Sequence, residues 1–439
     1  MRVRELTQPR WAQCILLGLL VPVAGGKWGS YLGIASVEVF LSDTLLAAGL
    51  IGLLVCSVSA ARSTGVKLSQ GQFGLLLLVA LFAITEFSSG AGSSVTRLRD
   101  LAPFFYLMLL PFVVGALREL KPASVVRRLD GALTVHAIWC VPAFLGVLPP
   151  ISIAAIGGFP VFATRPDIDV PLLAALTVFT LPRRISSVGL RCAVVVLIAG
   201  AALTQSSRAA LGGSLVGAAV YVLFKQRSKL QGLVRLSSAA AVALAVLVGV
   251  QLLAGPKLIS SGAVGRAGLV GGDASSAATS GQGTAQARYV AWDLVLADWK
   301  ANGSPALGER PGTEIVRDSG ALTYLSGDPS VRAPHDWWVG CLARFGPVGL
   351  LLWLAMALSA LSYRRSIVSW PSGISRKLFA MSLALVASLL VASTLGVVIE
   401  APFGSQILVL ALALAVTAGA QRGESHNALP NDVGSRATI

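Results

Sequence analysis

The sequence is poor in charge: only 13% of its 439 residues are Asp, Glu, Lys or Arg, about half the roughly 25% of an ordinary soluble domain. With 55% hydrophobic residues and a mean hydropathy of +0.76, this scarcity excludes a water-soluble fold. The five cysteines, Cys14, Cys56, Cys140, Cys192 and Cys341, are odd in number and all lie in apolar stretches. That excludes a disulfide framework and a Cys/His zinc site, and no metal is expected. The Gly-rich stretch 268–283 lacks the Gly-Lys-Ser/Thr ending of a phosphate loop and reads as a flexible linker. The net charge of +15 would point to nucleic acid only if it lay on a soluble face. Here Lys and Arg sit between apolar runs, so nucleic acid is not expected and the basic residues read as topology signals.

What the sequence has in quantity is apolar runs near the length needed to cross roughly 30 Å of hydrocarbon. They lie near 11–30, 37–58, 72–88, 98–117, 131–148, 168–182, 189–204, 208–224, 236–255, 337–361, 378–399 and 403–420. The expected fold is an all-α polytopic membrane protein with about twelve transmembrane helices and one long extracytoplasmic loop containing short helices. The start, MRVRELTQPRWAQCILLGLLVPVAGG, has the order of a secretory signal but reads as a first membrane helix that stays, because many similar spans follow. With the N-terminus inside, every short inside connection is basic and holds most of the 35 Lys and Arg residues: Arg2, Arg4 and Arg10; Arg62 and Lys67; Arg118, Lys121, Arg127 and Arg128; Arg183, Arg184 and Arg191; Lys225, Arg227, Lys229 and Arg235; Arg364, Arg365, Arg376 and Lys377; Arg422 and Arg436. The expected organisation is an N-terminal membrane bundle over 1–255, an extracytoplasmic loop over 256–336, C-terminal spans over 337–420 and a cytoplasmic tail over 421–439. Within the loop, ARYVAWDLVLADWKANG places Tyr289, Trp292, Leu296 and Trp299 on one helical face, as a helix lying on the membrane or capping the bundle would require.

Charge on the outer side is the informative class, because topology does not call for it and burying it at the membrane edge is costly. In LTQSSRAALGG, residues 203–213, Arg208 occupies an outside hairpin, and its planar fork suits a phosphate; the plainer reading is a snorkelling arginine at a helix end. In APHDWWVGCLARFGPVGLLLWL, residues 333–354, His335 precedes a span. Histidine accepts and releases a proton near neutral pH, although a lone histidine is more often a capping or core residue. Arg97 and Arg99 begin the fourth span on the outside, where they either bind phosphate or snorkel. Arg165 and Arg332 read as structural. Asp167 and Asp169 form an Asp-x-Asp that reads as a helix cap.

Taken together, three segments resemble the O-antigen ligase/polymerase superfamily. His335-Asp336, nine residues, then Gly346-Pro347-Val348-Gly349 resembles its His-(Asn/Ser/Gln)-x9-Gly-x-x-Gly signature. SSRAALGG resembles its Ser-Arg motif, and Arg288 in ARYVAWDLVLADW, followed by SPALGERPG, resembles its loop arginine. Asp336 stands where the ligases usually carry Asn or another neutral polar residue. The resemblance implies a bacterial inner-membrane enzyme, without cofactor or metal, that transfers a glycan from undecaprenyl diphosphate to an acceptor hydroxyl on the outer face. The acceptor would be lipid A core for a ligase, the favoured assignment, or a second lipid-linked repeat unit for a polymerase. His335 would be the general base, with inversion at the anomeric carbon, and Arg208 and Arg288 would hold the diphosphate. Arg97, Arg99 and Asp336 would bind or orient the substrate, and Glu400, in VIEAPFG, would orient His335 or an arginine. A reading of another class is a lipid-linked glycan flippase. The absence of visible half-to-half repeats and the nearly uncharged centres of the spans weigh against it.

Overall fold

The computed structural model describes residues 8–34, 39–59, 68–152, 160–205, 207–225, 285–325, 331–360, 372–394 and 396–419. The expected span 236–255, the linker 268–283, and the basic residues Arg2, Arg4, Arg62, Lys67, Arg227, Lys229, Arg235, Arg364, Arg365, Arg422 and Arg436 lie outside these residues.

The architecture is helical, as expected. In chain order the longer helices are α1 (Arg10–Ser30), α2 (Leu41–Ser59), α3 (Gln70–Ser89), α4 (Ser94–Met108), α5 (Leu110–Glu119) and α6 (Pro122–Phe144). They are followed by α7 (Pro166–Ala175), which runs through a π-turn into α8 (Leu181–Arg184), and by α9 (Val188–Leu203) and α10 (Arg208–Lys225). After the long loop come α11 (Ala285–Asn302), the one-turn α12 (Ile315–Asp318) and α13 (Leu322–Leu325), then α14 (Trp337–Ser359), α15 (Ser372–Ala392) and α16 (Pro402–Gly419). Local chemistry sets the starts. Ser69 and Gln72 form a reciprocal capping box at α3 (2.9 and 3.2 Å). Asp336 caps α14 by accepting from the N–H groups of Trp338 and Val339 (2.8 and 3.1 Å).

The core lies where α1 packs on α2, α5, α6 and α16, and where α15 packs on α10 and α16. Outward-facing Ile51, Leu54, Ile84, Leu351 and Leu358 are exposed, as a surface solvated by lipid tails would be.

Four helices are long and apolar enough to cross a membrane: Arg10–Ser30, Gln70–Ser89, Trp337–Ser359 and Ile374–Ala392. A fifth arises if α4 and α5, bent by 42°, count as one span. The expectation of about twelve is therefore not supported among the described residues. The runs expected at 37–58, 189–204, 208–224 and 403–420 form apolar helices short of that length. The run expected at 131–148 forms the end of a helix that begins at Pro122 and carries Arg127, Arg128 and Asp130. The run expected at 378–399 ends at Ala392, because Ser393-Thr394 and Gly396 lead into a turn before Pro402.

The helices are also less uniformly apolar than the sequence suggests. Asp100, Asp130, His136, Asp169 and Arg344 are all buried. Asp130 is held by Arg183 and by the hydroxyl of Thr180.

The amphipathic helix of the loop caps the bundle, but through a different face from the one expected. Ala291 and Val295 of α11 are buried against Ile315, Val316, Ala321, Leu325 and Ala343, whereas Tyr289 is 60% exposed. Trp292 adds one polar tie, its indole N–H donating to the carbonyl of Pro334 (2.8 Å).

Candidate functional site

The site is built on a break in α14. Gly346 has φ +62°, in the left-handed region, inside an otherwise helical segment, and Pro347 follows it. A Cβ at this position would stand 2.1 Å from the carbonyl oxygen of Ala306. The break frees carbonyls at Ala343 and Arg344, and these accept the N–H groups of Glu309 and Arg310 (2.8 and 2.9 Å), while the Val348 N–H donates to Ala306 (3.2 Å). SPALGERPG and GPVG, two segments singled out in the sequence, are therefore joined main chain to main chain. Non-helical backbone at such depth is tolerated where its polar groups are satisfied in this way.

Arg344, two residues before the break, is the buried cation of the region and was missed in the sequence. Its guanidinium pairs with Glu400 and lies 3.5 Å from Asp100, and it donates to the carbonyl of Arg332 (2.5 Å). Asp100 also accepts from the Gly312 N–H (2.8 Å) and from Arg332 (3.4 Å). This network ties α4, the 310–313 turn, the segment before α14 and the turn before α16 together. Glu400 accordingly orients an arginine, Arg344, rather than His335. The only sequence signal for Arg344 was a charge within CLARFGPVG, inside a run read as a span.

His335 sits above this network at the mouth of α14, half-buried and at φ +58°. Among the described residues only Phe162 and Arg310 are other non-glycine residues with positive φ, and such conformations cluster at functional positions. Its pKa is lowered to about 4, first by burial and then by the charges of Arg288 and Arg165. The imidazole is therefore neutral at neutral pH and able to accept a proton. The adjacent Asp336 carboxyl is raised to about 6 by burial, against the two N–H groups it caps.

Arg165, read from the sequence as structural, reaches the same place. Its guanidinium donates to the carbonyl of Val397 (3.1 Å) and lies 3.9 Å from Asp167. Asp167 in turn bonds the hydroxyl of Ser207, which accepts from the Ala210 N–H (3.1 Å) and so caps α10. The SSRAALGG backbone is thereby fixed beside Arg165, and Arg208 opens α10 there; the Arg208 side chain lies outside the described residues. Lys27, also missed, lies within electrostatic reach of Arg165 and Arg99. Arg99 is exposed on the second turn of α4.

The structure thus groups His335 with Arg288 and Arg165, and Lys27 lies within electrostatic reach of both Arg165 and Arg99. It does not add Arg97, which is committed elsewhere: it donates to the Phe87 carbonyl (2.8 Å) and covers the Phe87 ring at 5.0 Å, clamping α3 to α4. Asp167 and Asp169 begin a helix as expected: Asp169 accepts the backbone N–H of the N-cap residue Arg165, whereas Asp167 is tied to the hydroxyl of Ser207. No group of three or more His, Cys, Asp or Glu able to hold a metal occurs among the described residues.

What fold and site define is a class: a predominantly helical protein, with apolar helices of membrane-crossing length, that carries a cluster of cations around one half-buried histidine. No protein-family model matches the chain, and no curated protein is similar to it.

Proposed function

We propose that the chain is a glycosyltransferase of the bacterial inner membrane, threaded about twelve times with both termini cytoplasmic, that moves a glycan from undecaprenyl diphosphate to an acceptor hydroxyl at its outer face. One observation carries the reading: His335, held at φ +58° at the start of α14, lies within electrostatic reach of Arg288 and Arg165. A lipid diphosphate brings concentrated negative charge that guanidinium forks match. The acceptor oxygen attacks the anomeric carbon as its proton passes to His335. The bond from that carbon to the diphosphate oxygen breaks, and the electron pair leaves on the diphosphate, where arginine charge stabilises it. Inversion at carbon follows from a single displacement.

The acceptor is lipid A core in the favoured ligase reading and a second lipid-linked repeat unit in the polymerase reading. Purified protein given a lipid-diphosphate glycan and each acceptor separately distinguishes the two. The ligase reading expects transfer to lipid A core that is lost in His335→Ala and Arg208→Ala; chain growth on the second acceptor assigns the polymerase. Transfer to neither, or variants as active as wild type, would refute both. One observation favours a flippase instead: His136 and Asp169 are buried at a break in α1, as in transporters with discontinuous helices. Movement of the intact donor across vesicles, without transfer, would establish that reading.

A further inference from the structure

We infer that His136 and Asp169 together bind one exchangeable proton inside the bundle, at the break in α1. The inference is independent of the transferase reading.

The two side chains come from α6 and α7 and are 1% and 0% exposed, with His136 Nε2 3.6 Å from Asp169 Oδ1. Both ring nitrogens of His136 and Oδ1 of Asp169 are buried without a hydrogen-bond partner, which is rare for polar atoms in a native interior. The other carboxylate oxygen is taken by the Arg165 N–H (2.5 Å). The third wall is α1, which leaves helical geometry at Gly26 (φ 54°, ψ −139°). A Cβ at Gly26 would stand 2.7 Å from Asp169 Oδ1 and 3.4 Å from His136 Cε1, so the break closes on the pair only because residue 26 is glycine. Trp139 lies edge-on to His136, with ring centroids 4.9 Å apart, and its indole N–H donates to Ala24 at the break (2.8 Å). The carbonyls of Val23 and Ala24 face the imidazole.

The charge count decides the ligand. With a neutral imidazole and a carboxylate, the pair would hold a net negative charge where water is excluded, a costly state within a membrane protein. The neutral imidazole carries one N–H, which can serve either the carbonyls of Val23 and Ala24 or Asp169 Oδ1 but not both; one added proton, on either group, makes the pair neutral and supplies the second donor. The other ionisable groups facing Asp169 are Arg165, Asp167 and Cys140. Arg165 and Asp167 carry opposite charges, and Lys27 is the residue after the break. Two ionisable ligands without a third suit a proton better than a metal ion.

Infrared difference spectra of the full-length protein in lipid nanodiscs at neutral pH test this. The expected result is a band that shifts in D2O and disappears in Asp169→Asn: either a carboxylic acid band, which changes frequency in His136→Gln and in the acid-preserving Asp169→Glu, or an imidazolium ring band, which is lost in His136→Gln and changes frequency in Asp169→Glu. A wild-type spectrum with neither band, or bands indifferent to all three substitutions, would overturn the inference.

Discussion

At the scale of single residues the proposed transfer rests on His335. A histidine with pKa lowered to about 4 stays deprotonated, and able to accept a proton, until the pH falls to that range. The acid limb of kcat/KM for transfer is therefore expected near pH 4, rather than at the ordinary histidine value of about 6.5. Arg288→Gln removes the second largest cause of the depression, so the limb of the residual activity moves to higher pH; a limb unmoved would dissociate Arg288 from His335. The buried network gives a stability prediction. Arg344→Met removes the cation shared by buried Asp100 and part-buried Glu400, leaving Asp100 with Arg332 and the Gly312 N–H, and is expected to cost about 3 kcal/mol, the lower end of what losing one partner of a buried pair costs. Much of this returns in the triple variant Arg344→Met/Asp100→Asn/Glu400→Gln, as measured by thermal unfolding in detergent. His335 and Arg288 were legible in the sequence because each stands in a short motif with the right residues around it. Asp100 and Arg344 were not, because their pairing joins helices distant in the chain and each alone looks like a charge misplaced in an apolar run. Lys27 was passed over for the same reason.

At the scale of elements the break in α14 is the organising feature. In the sequence 337–361 reads as one unbroken span, and GPVG and SPALGERPG as parts of a family resemblance, and nothing in either segment reveals that the second fills a hydrogen-bonding gap opened by the first. Gly346→Ala forces an L-residue into the left-handed region, at about 1–2 kcal/mol, and drives its methyl group into Ala306. The 306–310 segment should then detach, with faster hydrogen exchange at the Glu309 and Arg310 amides; unchanged exchange would mean the pairing is incidental. Helix type and approximate position were readable from hydropathy because long apolar runs have few alternatives in lipid. Helix ends and breaks were less so. The bend between α4 and α5 falls where Pro111 opens α5, and at the end of α15 the Ser393 carbonyl accepts the Trp337 N–H from a distant segment; on α11 the small residues Ala291 and Val295, rather than the row of large aromatic ones, are the fully buried positions.

At the scale of the whole molecule, the proposed threading puts α11 and His335 on one side of the membrane and the end of α10 on the other. In a background without the five native cysteines, a cysteine at Tyr289 is expected to react with an impermeant maleimide added to intact cells. A cysteine at Lys225 should react only after permeabilisation. The reverse pattern would invert the topology and remove His335 from the outer face. The proposal of a lipid-diphosphate donor rests on the cations near His335 rather than on the span count.

The most direct measurement separates binding from chemistry: the affinity of wild type, His335→Ala and the Arg165→Gln/Arg288→Gln double variant for a lipid-diphosphate glycan, followed by single-turnover transfer. The expected result is that His335→Ala binds the donor as wild type does and transfers nothing, while the double variant loses binding at least tenfold. Donor binding indifferent to the two arginines, together with transfer that survives loss of His335, would contradict the proposed site.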